Sequence, residues 1–274
     1  MNTSVQATIV GGRGFIGRHL AHALRVQGWQ VDVAKRQDAK LFAQELGHVF
    51  YCAGLTADFR QNPYATVDAH VTMLANLLEY SSFTSLSYLS STRVYAEASS
   101  TEESAALRTR PEVPDHLYNL SKLMGESLCL QSGRDVRIVR LSNVYGRGMP
   151  QQNFLQAVLS EAYAQKSVRF LSAASSSKDY ISIEDVVRAI PHIALNGRKD
   201  IYNLAQGTNT SHQEIADWLS AQGIVCSFAQ DAPVTCFPVI DMRKTSSLCG
   251  AAQSNLLQDL APLFQAINNL DEAL

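Results

Sequence analysis

The sequence predicts an α/β fold, a doubly wound parallel sheet with a second, smaller α/β lobe, and three observations carry that prediction. Apolar runs of strand length alternate with segments of helical spacing between residues 7 and 141. A glycine-rich turn separates the first run from the first helical segment, and the rhythm breaks at Gly146, Gly148 and Pro150. Strands that alternate with helices are joined by crossovers, so they lie parallel with helices on both faces. A chain of 274 residues, 46% of them hydrophobic, buries one large core and an appended lobe.

In order, residues 7–11 (ATIVG) read as a strand, and 15–27 as a helix through Ile16, Leu20, Ala23 and Leu24. A second strand follows at 30–34, a helix at 38–46 and a buried strand at 48–53. A long helix at 62–81 places Val67, Val71, Leu74, Leu77 and Leu78 on one side, and the strand 85–90 comes next. A loop with Glu102, Glu103, Pro111 and Pro114 leads to a helix at 116–130 and a strand at 136–141. Residues 1–147 are the expected dinucleotide-binding unit. Residues 148–274 are the expected smaller lobe, opened by a helix at 154–166, with about 179–205 packing back on the main sheet. The serine-rich stretch 172–177 reads as a linker or a substrate loop.

Net charge is −2, and no run of Lys or Arg suggests a groove for nucleic acid or an anchor for anionic lipid. The five cysteines are odd in number and never spaced as CxxC, which fits a reducing compartment. No apolar run reaches the roughly 18 residues that span a bilayer, and the chain enters its first strand without a basic leader, so a cytoplasmic protein is expected. Of seven histidines only His19 and His22 fall at helical spacing, on a face that solvent explains, and no metal site is expected.

Gly11, Gly14 and Gly17 stand between strand and helix, where bare backbone approaches a pyrophosphate and the helix N-terminus favours negative charge. A tight turn with close helix packing is the plainer reading of three glycines. Their place in a βαβ series points instead to a Rossmann-type dinucleotide site. The expected cofactor-binding set is Gly11, Arg13, Gly14, Phe15, Ile16 and Gly17, with Lys35, Arg36, Ala53, Tyr118 and Lys122. An NAD-selective site usually ends its second strand on an acid, yet the chain reads Val33-Ala34-Lys35-Arg36. Arg13, Lys35 and Arg36 suit a 2′-phosphate, so NADP is favoured over NAD. The alternatives are a solvated strand end, or Asp32 as the acid if the strand ends earlier.

Tyr118 is the only one of ten tyrosines with a lysine four residues on. On a helix Tyr118 and Lys122 share a face, and an ammonium near a phenol lowers a pKa that is about 10 unperturbed. The strand 85–90 delivers Ser90 and Ser91 to the carboxyl edge of the sheet, where a hydroxyl would steady a substrate oxygen beside Tyr118. Read separately, the serines could cap a turn and Tyr118 could simply pack.

Gly11-x-x-Gly14-x-x-Gly17, Tyr88-Leu-Ser-Ser91-Thr-Arg-Val-Tyr95, Tyr118-Asn-Leu-Ser-Lys122 and Arg140-Leu-Ser-Asn143-Val-Tyr-Gly146 together resemble the extended short-chain dehydrogenase/reductases. These include nucleotide-sugar epimerases, dehydratases and ketoreductases. Lys178-Asp-Tyr-Ile-Ser-Ile-Glu-Asp185 and Ile201-Tyr-Asn-Leu204 continue the likeness in order, and it weakens afterwards to Asp241-Met-Arg-Lys244. The resemblance implies that Ser91, Tyr118 and Lys122 are catalytic and that Ser91, Thr92, Asn143 and Lys178 face substrate. It sets Lys178 where the family usually has an arginine near a nucleotide diphosphate, and Arg13 where NADP users hold the 2′-phosphate.

Three departures stand out. His70, Met73 and Leu74 replace the family's Asn and Gly-Thr, and the chain after the second strand is too short for the usual third one. No arginine lies between Val225 and Asp241 to hold a nucleotide phosphate, which leaves Arg243 to compensate.

The expected activity is NADPH-dependent reduction of a keto sugar, nucleotide-linked as the resemblance implies. An NAD-retaining epimerase is the alternative. Dehydration is disfavoured, since Thr92 and Arg93 stand where a dehydratase would carry acids, and a non-catalytic NAD(P)-binding regulator is the reading from another class. By the same resemblance the helices at 62–81 and 116–130 build a homodimer interface.

Overall fold

The protein is described from a computed structural model, over residues 4–35, 38–56 and 58–271. The first part of the chain runs β1 (Gln6–Val10), α1 (Phe15–Val26), β2 (Gln30–Ala34), β3 (His48–Tyr51), α2 (Pro63–Val67), α3 (Met73–Tyr80), β4 (Ser85–Ser91), α4 (His116–Gln131) and β5 (Val136–Leu141). The second part runs β6 (Asn143–Tyr145), α5 (Phe154–Gln165), β7 (Ser167–Phe170), β8 (Ser177–Ser182), α6 (Ile183–Asn196), β9 (Ile201–Leu204), β10 (Asn209–Ser211), α7 (His212–Ala221), β11 (Val225–Phe228), α8 (Arg243–Cys249) and α9 (Leu256–Asp271).

Among the described residues, six parallel strands form the main sheet in the order β2-β1-β3-β4-β5-β9. Helices α1 and α6 bury Leu20, Leu24, Ile190 and Ile193 against one face, and α3 and α4 bury Leu74, Leu77 and Cys129 against the other. Cover on both faces explains why β4 is buried from Ser85 to Ser90, its serines included. β2 is the outer strand, so it is half exposed, and no described strand lies beyond it. The chain leaves β1 toward β2 and returns to β3 on the other side, which puts the crevice of a doubly wound sheet at the carboxyl ends of β1 and β3.

Most of the remaining elements build a smaller body, while α8 packs on α6 and β9 beside the main sheet. β10, β8 and β6 form one short sheet and β11 and β7 another, with α5, α7 and α9 closing a separate core around Leu155, Leu159, Leu219 and Leu260. Although α6 and β9 come late in the chain, both join the main sheet. No helix among the described residues is long and apolar enough to cross a membrane.

Three expectations need correction, and one open alternative closes. The helix at 38–46 is a single 3₁₀ turn, Ala39–Phe42, because the segment offers Leu41 and Leu46 to the core but leaves Phe42 outside. The strand expected at 48–53 ends at Tyr51, since Cys52 and Ala53 already belong to the crevice. The helix at 62–81 is interrupted by a π turn at Asp68–Thr72, whose Ala69 and His70 carbonyls accept from the buried Tyr51 and Tyr88 hydroxyls at 2.6 and 3.3 Å. The stretch 172–177 is a turn seated on α7, with Gln213 N–H donating to the Ala174 carbonyl, rather than a linker.

One buried ion pair fastens α4 to the sheet. Arg140 on β5 donates to both carboxylate oxygens of Glu126 on α4, at 3.0 and 2.6 Å, and Ser90 on β4 donates to the same carboxylate. Arg140 also donates to the Tyr95 hydroxyl, which donates to Asn203 on β9. Removing one partner strands a charge in the core, so Glu126→Ala should cost about 3–5 kcal/mol. Urea denaturation would read this as a lowered midpoint, and Glu126→Leu/Arg140→Met should recover most of the loss.

Candidate active site

At the crevice, Gly11 (φ +83°) lets β1 turn beneath the end of β3, since a Cβ there would stand 2.6 Å from the Ala53 nitrogen. Gly17 has no room for a Cβ because the Gly11 carbonyl occupies the space, so the helix packs onto the turn. Gly14 differs. It is exposed, and its Cβ would meet only the Gly11 carbonyl, at 3.3 Å. It also heads α1 with no side-chain cap and no acid in the first turn, leaving bare N–H groups to an anion. These residues fit the pyrophosphate of a dinucleotide.

Phe15 and Ile16 turn their side chains into the core, so backbone N–H is what they have to offer a phosphate. Arg13 and Lys35 are exposed, and Arg36 lies outside the described residues. Asp32 lies inside β2 opposite Thr8, while Ala34 pairs with Val10 at the strand's end. Lys35 therefore occupies the crevice end of β2, and the alternative with Asp32 as the acid falls.

Serine, tyrosine and lysine come together one strand over. Ser91 ends β4 and caps the 3₁₀ turn Thr92–Tyr95 by accepting from the Arg93 N–H at 3.2 Å. Tyr118 and Lys122 lie one turn apart on α4, both buried, and the Ser91 and Thr56 hydroxyls stand close enough to the Tyr118 hydroxyl to favour its phenolate. Lys122 Nζ donates to the Leu89 carbonyl on β4 at 2.8 Å. Burial pushes the Lys122 ammonium down to about 7, against the pull of Glu126 and Cys52.

Tyr118 titrates against expectation. Burial raises it above the ordinary tyrosine value, outweighing Ser91, the charge of Arg93 and Thr56, so the unliganded site holds a phenol rather than a phenolate. Lys122 lies 5.9 Å from the ring centroid and, lowered to about 7, has lost its proton before Tyr118 titrates, so the charge acting on Tyr118 is that of Arg93.

Sequence reasoning missed much of the surrounding shell. Phe59 packs on Tyr118 with ring centroids 5.4 Å apart, and Arg93 lies over both rings, 5.2 and 5.7 Å from their centroids. Asp115 holds Arg93 at 3.0 Å and accepts two bonds from Arg60. Thr92 is buried in the turn, so it is Arg93 whose side chain reaches Tyr118. His70, noted only as a departure, sits edge-on to Tyr118 at 5.3 Å. An arginine two residues after the candidate serine was the one readable signal.

The substrate-side residues Asn143 and Lys178 lie on neighbouring strands, β6 and β8, and Asn143 Nδ2 donates to the Asp179 carbonyl at 2.8 Å. Lys178 stands over the Phe154 ring at 4.1 Å, and burial together with the charge of Arg93 lowers it to about 8. Arg243 does not compensate for the missing phosphate ligand. It is exposed and ion-paired with Asp241 and Glu102, near Ile201 at the amino end of β9, away from the carboxyl edge. Among the described residues no three His, Cys, Asp or Glu groups converge on a metal-sized site.

A glycine-lined dinucleotide crevice leading to a serine, tyrosine and lysine defines a nicotinamide-dependent oxidoreductase of short-chain type. Residues 7–205 match the NAD dependent epimerase/dehydratase family, and the chain belongs to that family, whose members are enzymes. A dTDP-4-dehydro-6-deoxy-D-allose reductase from a Streptomyces species is 23% identical over 259 residues, covering 78% of this chain and 79% of its own. MoeE5 in complex with UDP-glucuronic acid and NAD superposes with a TM-score of 0.83 at 22% identity, over 96% of this chain and 99% of that one. RMD from Pseudomonas aeruginosa, complexed with NADPH, superposes with a TM-score of 0.79 at 19% identity, over 96% and 99%.

The Lys122 shift has a testable sign. Its folded pKa lies below the unfolded value, so between about pH 7 and the ordinary lysine range the unfolded chain binds a proton that the folded chain does not. Stability from this group therefore rises with pH across that window and is lost as pH falls through about 7. Relative to Lys122→Met, the unliganded wild type should gain up to about 1.4 kcal/mol per pH unit there, read by urea denaturation at several pH values.

Proposed function

We propose that this chain uses NADPH to reduce a ketone on a nucleotide-linked sugar, with Ser91, Tyr118 and Lys122 as its catalytic residues. The observation that carries the reading is Tyr118: it lies buried on α4 beside the Ser91 hydroxyl at the carboxyl edge of the sheet, and burial keeps its proton in place for donation. Bound reduced nicotinamide supplies the hydride. Ser91 steadies the carbonyl oxygen as it gains charge, Tyr118 gives that oxygen its proton, and Lys122 is held by Leu89 beside the cofactor ribose.

Arg13, Lys35 and Arg36 would meet the 2′-phosphate, a reading supported by Lys35 standing at the crevice end of β2. Lys178 and Asn143 would take the substrate's diphosphate end. The mutual repulsion of Lys178 and Arg93 supports an anionic ligand between them. The smaller body, about 148–182 and 206–271, would form the substrate lobe. The reductase among the relatives and the NADPH bound to RMD agree with this reading. The NAD bound to MoeE5 favours the second one, an epimerase that retains its cofactor. For assembly, exposed Tyr64, Val67 and Met124 on adjoining α2 and α4 support a homodimer through these helices.

Three measurements test these readings. Tyr118→Phe should cut turnover of a nucleotide-linked keto sugar by about 10²–10⁴-fold and leave cofactor affinity nearly unchanged, whereas unchanged turnover would remove its acid role. Fluorescence titration should show NADPH binding tighter than NADH, and equal affinities would return the basic cluster to solvent and strengthen the epimerase reading. Light scattering should give the mass of a dimer, and a monomer mass rejects the helix interface.

A further inference from the structure

Arg93 is a cation that the fold does not use up. Its side chain keeps 30% of its surface open, and among the described residues its ion-pair partner is Asp115, met through Nη2 alone at 3.0 Å. Arg60 already grips both oxygens of that carboxylate and lowers it more than Arg93 does. Two guanidinium groups thus share one acid, and Arg60 alone can keep Asp115 at the head of α4. The Phe59 and Tyr118 rings supply the rest of the setting, their centroids 5.2 and 5.7 Å from the guanidinium carbon. Stacking on rings leaves the in-plane N–H donors of a guanidinium open.

The position of Arg93 beside the reacting groups decides what those donors can hold. Arg93 follows Ser91 by two residues, in the turn that Ser91 caps, and its charge acts on the Tyr118 hydroxyl. A ketone seated on the Ser91 and Tyr118 hydroxyls therefore turns a substituent of its neighbouring carbon toward Arg93. The diphosphate end belongs elsewhere in the proposed reading, at Lys178 on β8, which stands over Phe154. A sugar whose anionic charge lies all at that end would press a neutral group against Arg93 and leave its donors dry and unpaired. A carboxylate accepts two parallel bonds from a guanidinium, whereas a methyl or hydroxymethyl group does not.

Building on the proposed function, we propose that Arg93 is a specificity-determining residue that grips a carboxylate on the substrate sugar, beside the ketone. The substrate class is then a nucleotide-linked keto sugar acid rather than a neutral keto sugar.

The test uses protein loaded with whichever of NADPH and NADH binds better, on which an alcohol sugar binds without turning over. Calorimetry compares UDP-glucuronic acid with UDP-glucose, and glucuronic acid 1-phosphate with glucose 1-phosphate, each pair differing by a carboxylate against a hydroxymethyl group. Wild type should bind the acid of a pair at least about tenfold tighter than its neutral partner. Arg93→Gln should abolish that preference by weakening the acid and leaving the neutral sugar within about twofold. Arg93→Lys, with the charge but not the fork, should fall between. Equal affinity for acid and neutral sugar in wild type overturns the inference whether or not a variant folds. A preference that survives in Arg93→Gln, or an equal loss for both sugars, overturns it too, since a merely structural arginine would not discriminate. Failure of wild type to bind any of the four overturns the nucleotide-linked sugar reading as well.

Discussion

The buried Arg140–Glu126 pair is the constraint on which the rest of the site depends. Three neighbouring strands and the helix that carries Tyr118 and Lys122 meet in one hydrogen-bonded set, from Ser90 through Glu126, Arg140 and Tyr95 to Asn203. A helix laid on a sheet by apolar contacts alone tolerates sliding, because leucines accept many neighbours. A two-pronged bond from guanidinium to carboxylate does not. With Glu126 fixed, Lys122 one turn earlier reaches the Leu89 carbonyl and Tyr118 one turn before that reaches Ser91. Asn203 carries the same restraint outward, since its amide donates to the Thr101 and Asp241 carbonyls and ties the loop after β4 to the segment before α8.

That network explains what the sequence made legible. Strand order, the glycine turn and the tyrosine–lysine spacing are local patterns, readable because period, turn chemistry and helix pitch act over a few residues. Where the reading failed, the cause lies far away in the chain. The π turn at Asp68–Thr72 is set by the hydroxyls of Tyr51 and Tyr88 on strands beneath it. The lost helix at 38–46 reflects a sheet in which β3 follows β2 directly on the other side of β1, leaving two leucines to fill the gap.

Side-chain roles were harder still. Arg93 was legible as a residue type and not as a neighbour of Tyr118, because its position depends on Phe59 and Asp115, from two other segments. Arg243 looked available as a phosphate ligand because sequence does not show that Asp241 and Glu102 already hold it. Lysine four residues after tyrosine suggested a phenolate; burial of both groups reversed that, lowering Lys122 and raising Tyr118. Spacing identified the partners, and desolvation set their charge states.

The same fate of acids gives the site its sign. The chain carries slightly more acids than bases, yet its crevice is lined by cations. Glu126 is consumed by Arg140, Asp179 by the N–H groups of Gln206 and Gly207, and Asp185 by Arg188 and the N–H groups of Gln253 and Ser254. Asp115 is shared between Arg60 and Arg93. Each of these four carboxylates fastens one part of the structure to another, so none of the four is free to neutralise Lys178. A protein near neutrality thus keeps Lys178 and Arg93 in mutual repulsion, because these four acids are committed to holding the walls.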